Sequence, residues 1–331
     1  MLDLKNYFPM TMITRNESPI SDNHARDFIK FWHSIFGETL DIGQEAFTGS
    51  ETGINYHVIY SLYTGGKIAG TCGLTRSLHD PRLAGLGQVA TDPTFRRLGV
   101  ASKLCQAAVD DFFERKGQGL FLGTANPGAA RIYHRLGWRK LPSANVMVNT
   151  LNRISPEAFL VELLSNLGEY VVSEASPSMR ISMIPLVVFP HDWQVLDLNV
   201  NLFSTRYTVQ NSCLGLYRRY QELCVDGRGM WFGARESSGL LVGLSSARMQ
   251  DVGVCTVDSF SLNSDKAIWS DLIHAATTWG LQSGYKIQAT VSYEDEEKQA
   301  FLEEFGFLDH GDSEPVNIGS RLIKTRLLEL G

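Results

Sequence analysis

The segment from Gln88 to Ser102 combines basic and small residues in an order that suits anion binding. Its sequence is QVATDPTFRRLGVAS, which predicts a strand, then a tight loop, then the first turn of a helix. Amides in the first turn of a helix lack internal acceptors and lie at the positive end of the helix dipole. Gly99 and Ala101 are small enough to let a phosphate reach the main chain, and Arg96 and Arg97 add charge. The pattern predicts an anion site that could hold a phosphate; a glycine-containing turn before a solvated helix is the alternative for this loop alone.

A second segment with a distinctive pattern, NPGAARIYHRLGW, follows one predicted strand later. The two segments together resemble the GNAT acetyltransferase superfamily. The diphosphate loop of that family, R/Q-x-x-G-x-G/A, is matched by Arg96, Gly99 and Ala101. Its second motif, N-x-x-A-x-x-x-Y followed by Gly-Phe or Gly-Trp, is matched by Asn126, Ala129, Tyr133, Gly137 and Trp138. Either motif alone is weak, whereas both in this order are specific. The resemblance covers about residues 56–149.

The resemblance implies an acetyl-CoA site in this part of the chain. In GNAT enzymes the pantetheine lies between two splayed strands, here Leu83–Thr91 and Leu120–Thr124, and pairs with the first of them. The amides of residues 97–102 would hold the diphosphate. The cofactor-binding residues that follow from the resemblance are Val89, Ala90, Thr91, Arg96, Arg97, Leu98, Gly99, Val100, Ala101, Ser102, Asn126 and Ala129.

The resemblance also makes Tyr133 the catalytic residue. Its phenol would lie near the cofactor sulfur and donate a proton to the departing CoA thiolate. A free thiol has a pKa of about 8.5 and a phenol one of about 10, so this proton transfer is close to balance. An aromatic side chain that packs on the sheet is the alternative interpretation of Tyr133. Gly137 and Trp138 are expected to end the helix and to fill the core.

No base for the acceptor amine stands out. Many GNAT enzymes place a glutamate on the strand before the diphosphate loop, but Leu83–Thr91 contains no carboxylate. His79 and Asp80 could act through water, and His57 is a further candidate. Each of these residues is more often a loop, surface or structural residue than a catalyst, so none is assigned.

Strand and helix patterns alternate along the first half. A helix capped at Ser21 is predicted to run through Phe36. The later elements are strands Tyr56–Tyr63 and Ile68–Thr75 around a hairpin turn at Thr64–Lys67, the strand Leu83–Thr91, a helix to about Arg115, the strand Leu120–Thr124 and the helix Pro127–Leu136.

The second half repeats this order. Its predicted elements are strands Trp231–Glu236, Leu240–Met249 and Cys255–Leu262, a helix Ala267–Gln282, a strand Tyr285–Ser292 and a helix Glu296–Phe305. An offset of 169 positions (302 − 133 and 295 − 126) places Leu302 opposite Tyr133 and Asp295 opposite Asn126. The segment opposite the diphosphate loop, 261–266, has no arginine and no glycine, and its Asp265 would repel a phosphate. We expect this copy not to bind CoA, and instead to shield core, shape the acceptor pocket or mediate association.

The expected fold class is therefore α/β (α+β), with two GNAT-like domains. Each has a mixed, mostly antiparallel central sheet that is flanked by helices and splayed between its fourth and fifth strands. The expected boundaries are 1–150 for the acetyl-CoA-binding acetyltransferase domain, 151–176 for a linker with a helix Ser155–Asn166, and 177–331 for the degenerate copy.

Composition argues against several other classes of protein. The 331 residues are enough for two domains, and a net charge of −6 without a basic face argues against nucleic-acid binding. The five cysteines form no C-x-x-C pair, and no secretory signal is evident at the N-terminus. The longest apolar run, Ile181–Pro190, is too short to cross a membrane, and the eight histidines lack metal-ligand spacing. We expect a cytoplasmic protein without a metal or a membrane partner.

The sequence therefore predicts an acetyl-CoA-dependent N-acetyltransferase that transfers the acetyl group directly to a primary amine of a small molecule. Two alternatives are also enzymes but differ in the acceptor, which would be an amine of a protein or peptide, or the thiol of a carrier protein. A third alternative is a non-catalytic sensor of acyl-CoA. The identity of the acceptor, the length of the acyl chain and the oligomeric state do not follow from the sequence.

Overall fold

The computed structural model describes residues 12–38, 40–165, 167–211, 213–250 and 253–331. The chain forms two compact units. The first contains the described residues up to Arg139 together with Met147–Phe159 and Cys213–Gly215. The second contains Lys140–Val146, 160–211 and Leu216–Gly331. No helix among the described residues is long and apolar enough to cross a membrane.

The first sheet has seven strands in the order β1-β2-β3-β4-β5-β7-β6. The strands β1 to β4 pair antiparallel, and β4 pairs with β5 in parallel. The elements are β1 Thr14–Glu17, α1 Asp22–Phe36, α2 Gln44–Thr48, β2 Asn55–Thr64, β3 Lys67–Ser77, β4 Leu83–Thr91, α3 Val100–Glu114, β5 Gly119–Gly123, α4 Pro127–Arg135, β6 Arg139–Lys140, β7 Val146–Thr150 and α5 Pro156–Leu164.

Helices cover both faces of this sheet because their apolar residues recur at helical spacing. On one face, α1 buries Ala25, Phe28 and Trp32, and the side chain of Ser21 caps it by accepting from His24 N. On the other face, α3 packs its own buried stripe, which includes Leu104 and Cys105, against β2, β3 and β4.

The second sheet repeats the strand order of the first, because written from its first strand it runs β8-β11-β12-β13-β14-β16-β15. Its parallel pair, β13 with β14, corresponds to β4 with β5. The elements are β8 Tyr170–Glu174, α6 Met179–Val188, β9 Val195–Asp197, β10 Leu202–Phe203, α7 Gly215–Cys224, β11 Gly229–Glu236, β12 Leu241–Met249, β13 Val254–Ser261, α8 Lys266–Gln282, β14 Lys286–Ser292, α9 Glu296–Phe305, β15 Phe307–Ile318 and β16 Arg321–Leu330.

The predicted fold class is confirmed: two mixed seven-stranded sheets, each flanked by helices. The predicted elements of both halves coincide with observed ones to within a few residues. The linker helix is α5, and Asn166, at its predicted end, lies outside the described residues. The stretch 151–176 also contains β8, which pairs with β11 as the edge strand of the second sheet.

Candidate cofactor cleft and active site

A cleft opens in the first sheet because β4 and β5 pair over a short distance only. The parallel pairing joins Leu83 to Gly119, Ala84 to Leu120 and Gly85 to Phe121, and stops there. From Leu86 to Thr91, no strand among the described residues pairs with the edge of β4 that faces β5. The splay that the resemblance implied is therefore present between the fourth and fifth strands. Val89, Ala90 and Thr91, the predicted partners of the pantetheine, lie along this edge of β4.

A β-bulge changes the direction of β4 within the splayed part. Gly87 pairs with Gly73, but Ala90 pairs with Thr71, so two residues of β4 lie opposite one residue of β3. Gln88 in this bulge has φ 46°. A side chain other than glycine rarely adopts this left-handed conformation. Glycine at position 73 makes room for it, since a Cβ there would come 2.6 Å from Gln88 Oε1.

The loop between β4 and α3 is tied down at its start and open at its end. Asp92 accepts hydrogen bonds from the amide and the hydroxyl of Thr94, which lower the pKa of its carboxyl group. Arg96 Nε donates to Thr91 O at 3.3 Å. Gly99 then ends the loop at φ 80°, and no heavy atom lies within 4 Å of the position of a Cβ on it. The approach to the main chain at Gly99 is therefore clear.

The start of α3 presents a row of amides without acceptors. The first hydrogen bond into the helix is Lys103 N to Gly99 O, at 3.0 Å. Within the described part of the chain, the N–H groups of residues 97–102 make no hydrogen bond, and no side chain caps the helix at Gly99. The side chains of residues 96–98 are exposed, and those of residues 100–102 are half-buried. This turn has the donors and the positive potential that a diphosphate requires.

Helix α4 begins at Asn126, whose side-chain oxygen accepts from Gly128 N at 2.8 Å and from Ala129 N at 3.3 Å. This oxygen is thereby committed to capping the helix. Asn126 itself is exposed, and Ala129 is half-buried against the core. The side chain of Asn126 therefore has only its NH2 group left to contact a ligand.

Tyr133 lies on the buried face of α4 with 7% of its surface exposed. Its ring meets Trp138 edge to face at 5.8 Å, and Trp138 Nε1 donates to Leu120 O of β5 at 3.0 Å. Burial raises the pKa of the Tyr133 hydroxyl far above its usual range, so the phenol is neutral at physiological pH. None of the described residues takes part in a hydrogen bond with this hydroxyl, which leaves its proton available.

Two of the three residues considered as bases have structural partners. His57 is buried between Glu51 Oε2 at 2.9 Å and Thr75 Oγ1 at 3.0 Å. Asp80 is buried and accepts from the guanidinium group of Arg82 through both oxygens. His79 is exposed. The structure thus gives His57 and Asp80 structural partners and brings none of the three into contact with Tyr133.

The corresponding cleft of the second sheet is filled by the chain itself. Strands β13 and β14 also separate after three pairs, the last being Thr256 with Gln288. The segment 194–199, which contains β9, bridges the two arms. On the β13 side, Leu198 N donates to Asp258 Oδ2 at 2.8 Å and Asn199 Nδ2 to Thr256 O at 3.1 Å.

On the β14 side, the side chain of Asp295 accepts from the amides of Gln194 and Val195 at 2.6 and 3.1 Å. Lys298 Nζ donates to Val195 O at 2.9 Å and forms a fully buried ion pair with Asp258. Asp295 and Lys298 lie at the positions of Asn126 and Ala129 under the offset of 169. Residues that would touch a cofactor in the first cleft therefore hold a peptide segment in the second.

The start of α8 in the second unit is also closed. The carboxylate of Asp265 accepts from Ala267 N at 3.0 Å and from Ile268 N at 3.1 Å. A carboxylate of the protein thus accepts from the first amides of α8, whereas the corresponding amides of α3 have no acceptor among the described residues.

Two features of these sites carry no motif in the sequence. The only sequence signals near the bulge at Gln88 are the glycines Gly73 and Gly87, and glycines are not specific for a bulge. The segment 194–199 has the composition of an ordinary loop, since it contains the polar residues aspartate and asparagine. The residues that it contacts lie about 60 to 100 positions away in the sequence, so no local pattern indicates its role.

Comparison with known proteins places the first unit in a family. Residues 20–138 match the acetyltransferase (GNAT) family. This part of the chain is therefore a GNAT domain, as the two motifs indicated, and the family is one of acetyltransferases. No curated protein matches the sequence.

Solved structures similar to this chain include three acetyltransferases. A GNAT-family acetyltransferase from Streptococcus pneumoniae is 16% identical, covers 49% of this chain and 100% of its own, and has a TM-score of 0.38. A probable acetyltransferase from Staphylococcus epidermidis is 17% identical, with coverages of 49% and 98% and a TM-score of 0.39. A spermidine/spermine N-acetyltransferase from Vibrio cholerae is 14% identical, with coverages of 49% and 92% and a TM-score of 0.36. These likenesses are too distant to indicate a substrate.

Proposed function

We propose that this protein is an acetyl-CoA-dependent N-acetyltransferase that acetylates a primary amine of a small molecule. The observation that carries the proposal is the row of unpaired amides at residues 97–102, with the free hydroxyl of Tyr133 on the next helix. Between them lies the unpaired edge of β4. A ligand with a diphosphate, an extended amide chain and a terminal thioester matches these three features in order.

In this proposal the cofactor replaces the missing strand beside β4. The amide groups of the pantetheine pair with the main chain at Val89, Ala90 and Thr91. The diphosphate accepts hydrogen bonds from the turn at Gly99, while Arg96 and Arg97 lie close enough to add positive potential. The side-chain NH2 of Asn126 is left to contact the cofactor from the other arm of the cleft.

The reaction is a direct transfer. The amine nitrogen attacks the thioester carbon, the carbonyl electrons move to oxygen, and a main-chain N–H of the bulge stabilises that oxyanion. The oxyanion then re-forms the carbonyl as the C–S bond breaks, and the departing thiolate takes the proton of Tyr133. The attacking amine loses its proton to water, and the Tyr133 phenolate regains a proton from water. Holding both substrates together supplies much of the rate.

Burial of Tyr133 affects this proton transfer in two opposing ways. It raises the pKa of the phenol, which alone makes the phenol a weaker acid. A thiolate formed in the same apolar surroundings is destabilised by the same desolvation, so its proton affinity rises as well. The two effects of desolvation on this proton transfer therefore oppose each other.

The experiment is to incubate the purified protein with acetyl-CoA and a library of primary amines and to measure released thiol. We expect turnover with at least one small amine, and a fall in kcat of about 100-fold in Tyr133→Phe with the Kd for acetyl-CoA unchanged. Tyr63→Phe is the matched control, because that hydroxyl contacts His24 on α1. Binding of acetyl-CoA without acetylation of any amine would refute the transferase.

We propose further that the second unit binds no CoA. The support is the filled cleft, with Asp265 on the amides of α8 and residues 194–199 between β13 and β14. Isothermal titration of the full chain with CoA is expected to give one site per chain. A stoichiometry of two would contradict this part of the proposal.

A further inference from the structure

A buried relay of hydrogen bonds runs from α1 to the bulge in β4. Trp32 Nε1 donates to Thr71 Oγ1 at 2.9 Å, and Thr71 Oγ1 lies 2.7 Å from Gln88 O. Trp32 and Thr71 are both fully buried. The relay therefore joins the helix on one face of the sheet to the main chain of the splayed strand.

The direction of each bond in the relay is fixed by the chemistry of the groups. An indole N–H can only donate, so the Thr71 hydroxyl must accept from Trp32. The hydroxyl has a single hydrogen, and the carbonyl of Gln88 can only accept. Thr71 therefore donates its one hydrogen to Gln88 O, and this carbonyl is held toward β3.

The carbonyl of Gln88 determines where the next amide points. Because the peptide group is planar and trans, the N–H of Val89 is directed opposite to the C=O of Gln88. This N–H consequently faces away from β3, toward the edge of β4 that β5 has left. Under the proposed function, it is the bulge amide that would meet the carbonyl of a thioester in the cleft.

The bulge needs this support. Gln88 is held at φ 46°, a conformation that costs on the order of 1–3 kcal/mol for a non-glycine residue and persists only where the surroundings enforce it. Without the bond from Thr71, the peptide between Gln88 and Val89 could rotate and present its carbonyl to the cleft instead. A carbonyl there would repel a developing oxyanion.

We infer that Trp32 and Thr71 are positioning residues, which hold the N–H of Val89 as the donor to the thioester carbonyl. This inference rests on the proposed function. Neither residue touches the cofactor, so both act through the main chain. The position of Trp32 on α1 thus affects how strongly the Val89 N–H polarises the carbonyl of the acetyl group.

The test compares Thr71→Val, which keeps the shape of the side chain and removes the hydroxyl, with Thr71→Ser, which keeps the hydroxyl. The first readout is the infrared stretch of 13C-labelled acetyl-CoA bound without any amine. We expect the carbonyl frequency to be lowered on binding to the wild type and to Thr71→Ser, and to return toward the solution value in Thr71→Val.

The second readout is kinetic. Loss of one oxyanion donor typically lowers kcat by about 100-fold or more. We expect a fall of that order in Thr71→Val with less than about a threefold change in the Kd for acetyl-CoA, and recovery in Thr71→Ser. Since Thr71→Val leaves the buried N–H of Trp32 without an acceptor, the double variant Trp32→Phe/Thr71→Val removes both polar groups and should fold with the same loss.

The outcomes separate this inference from the proposed function. A wild-type carbonyl frequency equal to the solution value, or equal frequencies in Thr71→Val and Thr71→Ser, overturns the positioning role whatever the turnover. If the frequency shift depends on Thr71 but no amine is acetylated, the positioning role stands and the transferase falls.

Discussion

The open turn at Gly99 can be closed with one substitution, Gly99→Asp. This change places a carboxylate at the start of α3, where Asp265 stands at the start of α8. The matched control is Gly99→Asn, which has the same shape without the charge. Both side chains have room, since nothing lies within 4 Å of the Cβ position, and both share a cost of about 1 kcal/mol for the left-handed backbone.

The expected effect on affinity follows from Coulomb's law. Two unit charges 4 Å apart repel by about 1 kcal/mol in bulk water, and Gly99 is exposed. A diphosphate with two negative charges would therefore lose about 2 kcal/mol, which corresponds to a roughly 30-fold higher Kd for acetyl-CoA in Gly99→Asp than in Gly99→Asn. Screening should reduce this ratio to a few-fold at 1 M salt, where the Debye length is about 3 Å.

The assay is titration of both variants with acetyl-CoA at low and high salt. Acetyl-pantetheine, which lacks the diphosphate, is the ligand control and should bind both variants equally. Denaturant unfolding should give Gly99→Asp a free energy of unfolding no more than about 1 kcal/mol above that of Gly99→Asn, because a carboxylate interacts favourably with the start of a helix. Equal Kd values for acetyl-CoA in the two variants at low salt, or a difference that persists with acetyl-pantetheine, would refute a diphosphate site at this turn.

Two further predictions concern the buried charges of the second unit. Burial and the charge of Asp258 raise the pKa of the Asp197 carboxyl group above its usual value. Because the folded pKa lies above the unfolded value of about 3.9, the folded wild type loses stability as the pH rises through the range between the two values. Asp197→Asn should reduce that loss, and urea unfolding at pH 4.5 and 7.5 measures it; an unchanged pH slope contradicts the assignment. Lys298→Met should lower the free energy of unfolding by about 3 kcal/mol and speed hydrogen exchange at the amides of Gln194 and Val195, since it leaves Asp258 buried without its partner. Exchange that stays slow there would mean that the segment is held by other contacts.

The fold could be predicted well from the sequence because its signals are local. Alternating apolar residues mark β2 and β3, the two glycines between them mark a hairpin, and Ser21 marks the start of α1. The proposed diphosphate turn was equally visible, since Gly99 and its neighbours would act through consecutive main-chain amides. The offset of 169 between the copies holds at one pair of helix starts, because Asp295 stands at the start of α9 as Asn126 does at the start of α4. At the preceding pair of helices, α3 and α8, the offset is 166 (265 − 99).

The parts that escaped prediction depend on contacts between distant residues. Thr71 acquires its role only when β3 pairs with β4 and α1 places Trp32 above it. His57 was a candidate base because histidine titrates near neutral pH, yet its bond to Glu51 fixes it in the interior. Residues that would bind the cofactor through main-chain amides, by contrast, need no particular side chain. In the sequence, only the small residues glycine and alanine indicate them.

The segment at residues 194–199 gives the second unit a ligand that cannot dissociate. A domain that binds a free cofactor becomes more stable as the concentration of that cofactor rises. A domain whose cleft is occupied by its own backbone has a stabilising contribution of this kind at all times. That contribution does not depend on the concentration of any ligand. In one polypeptide, heating with increasing acetyl-CoA should therefore raise the melting temperature of one half and leave the other where it was.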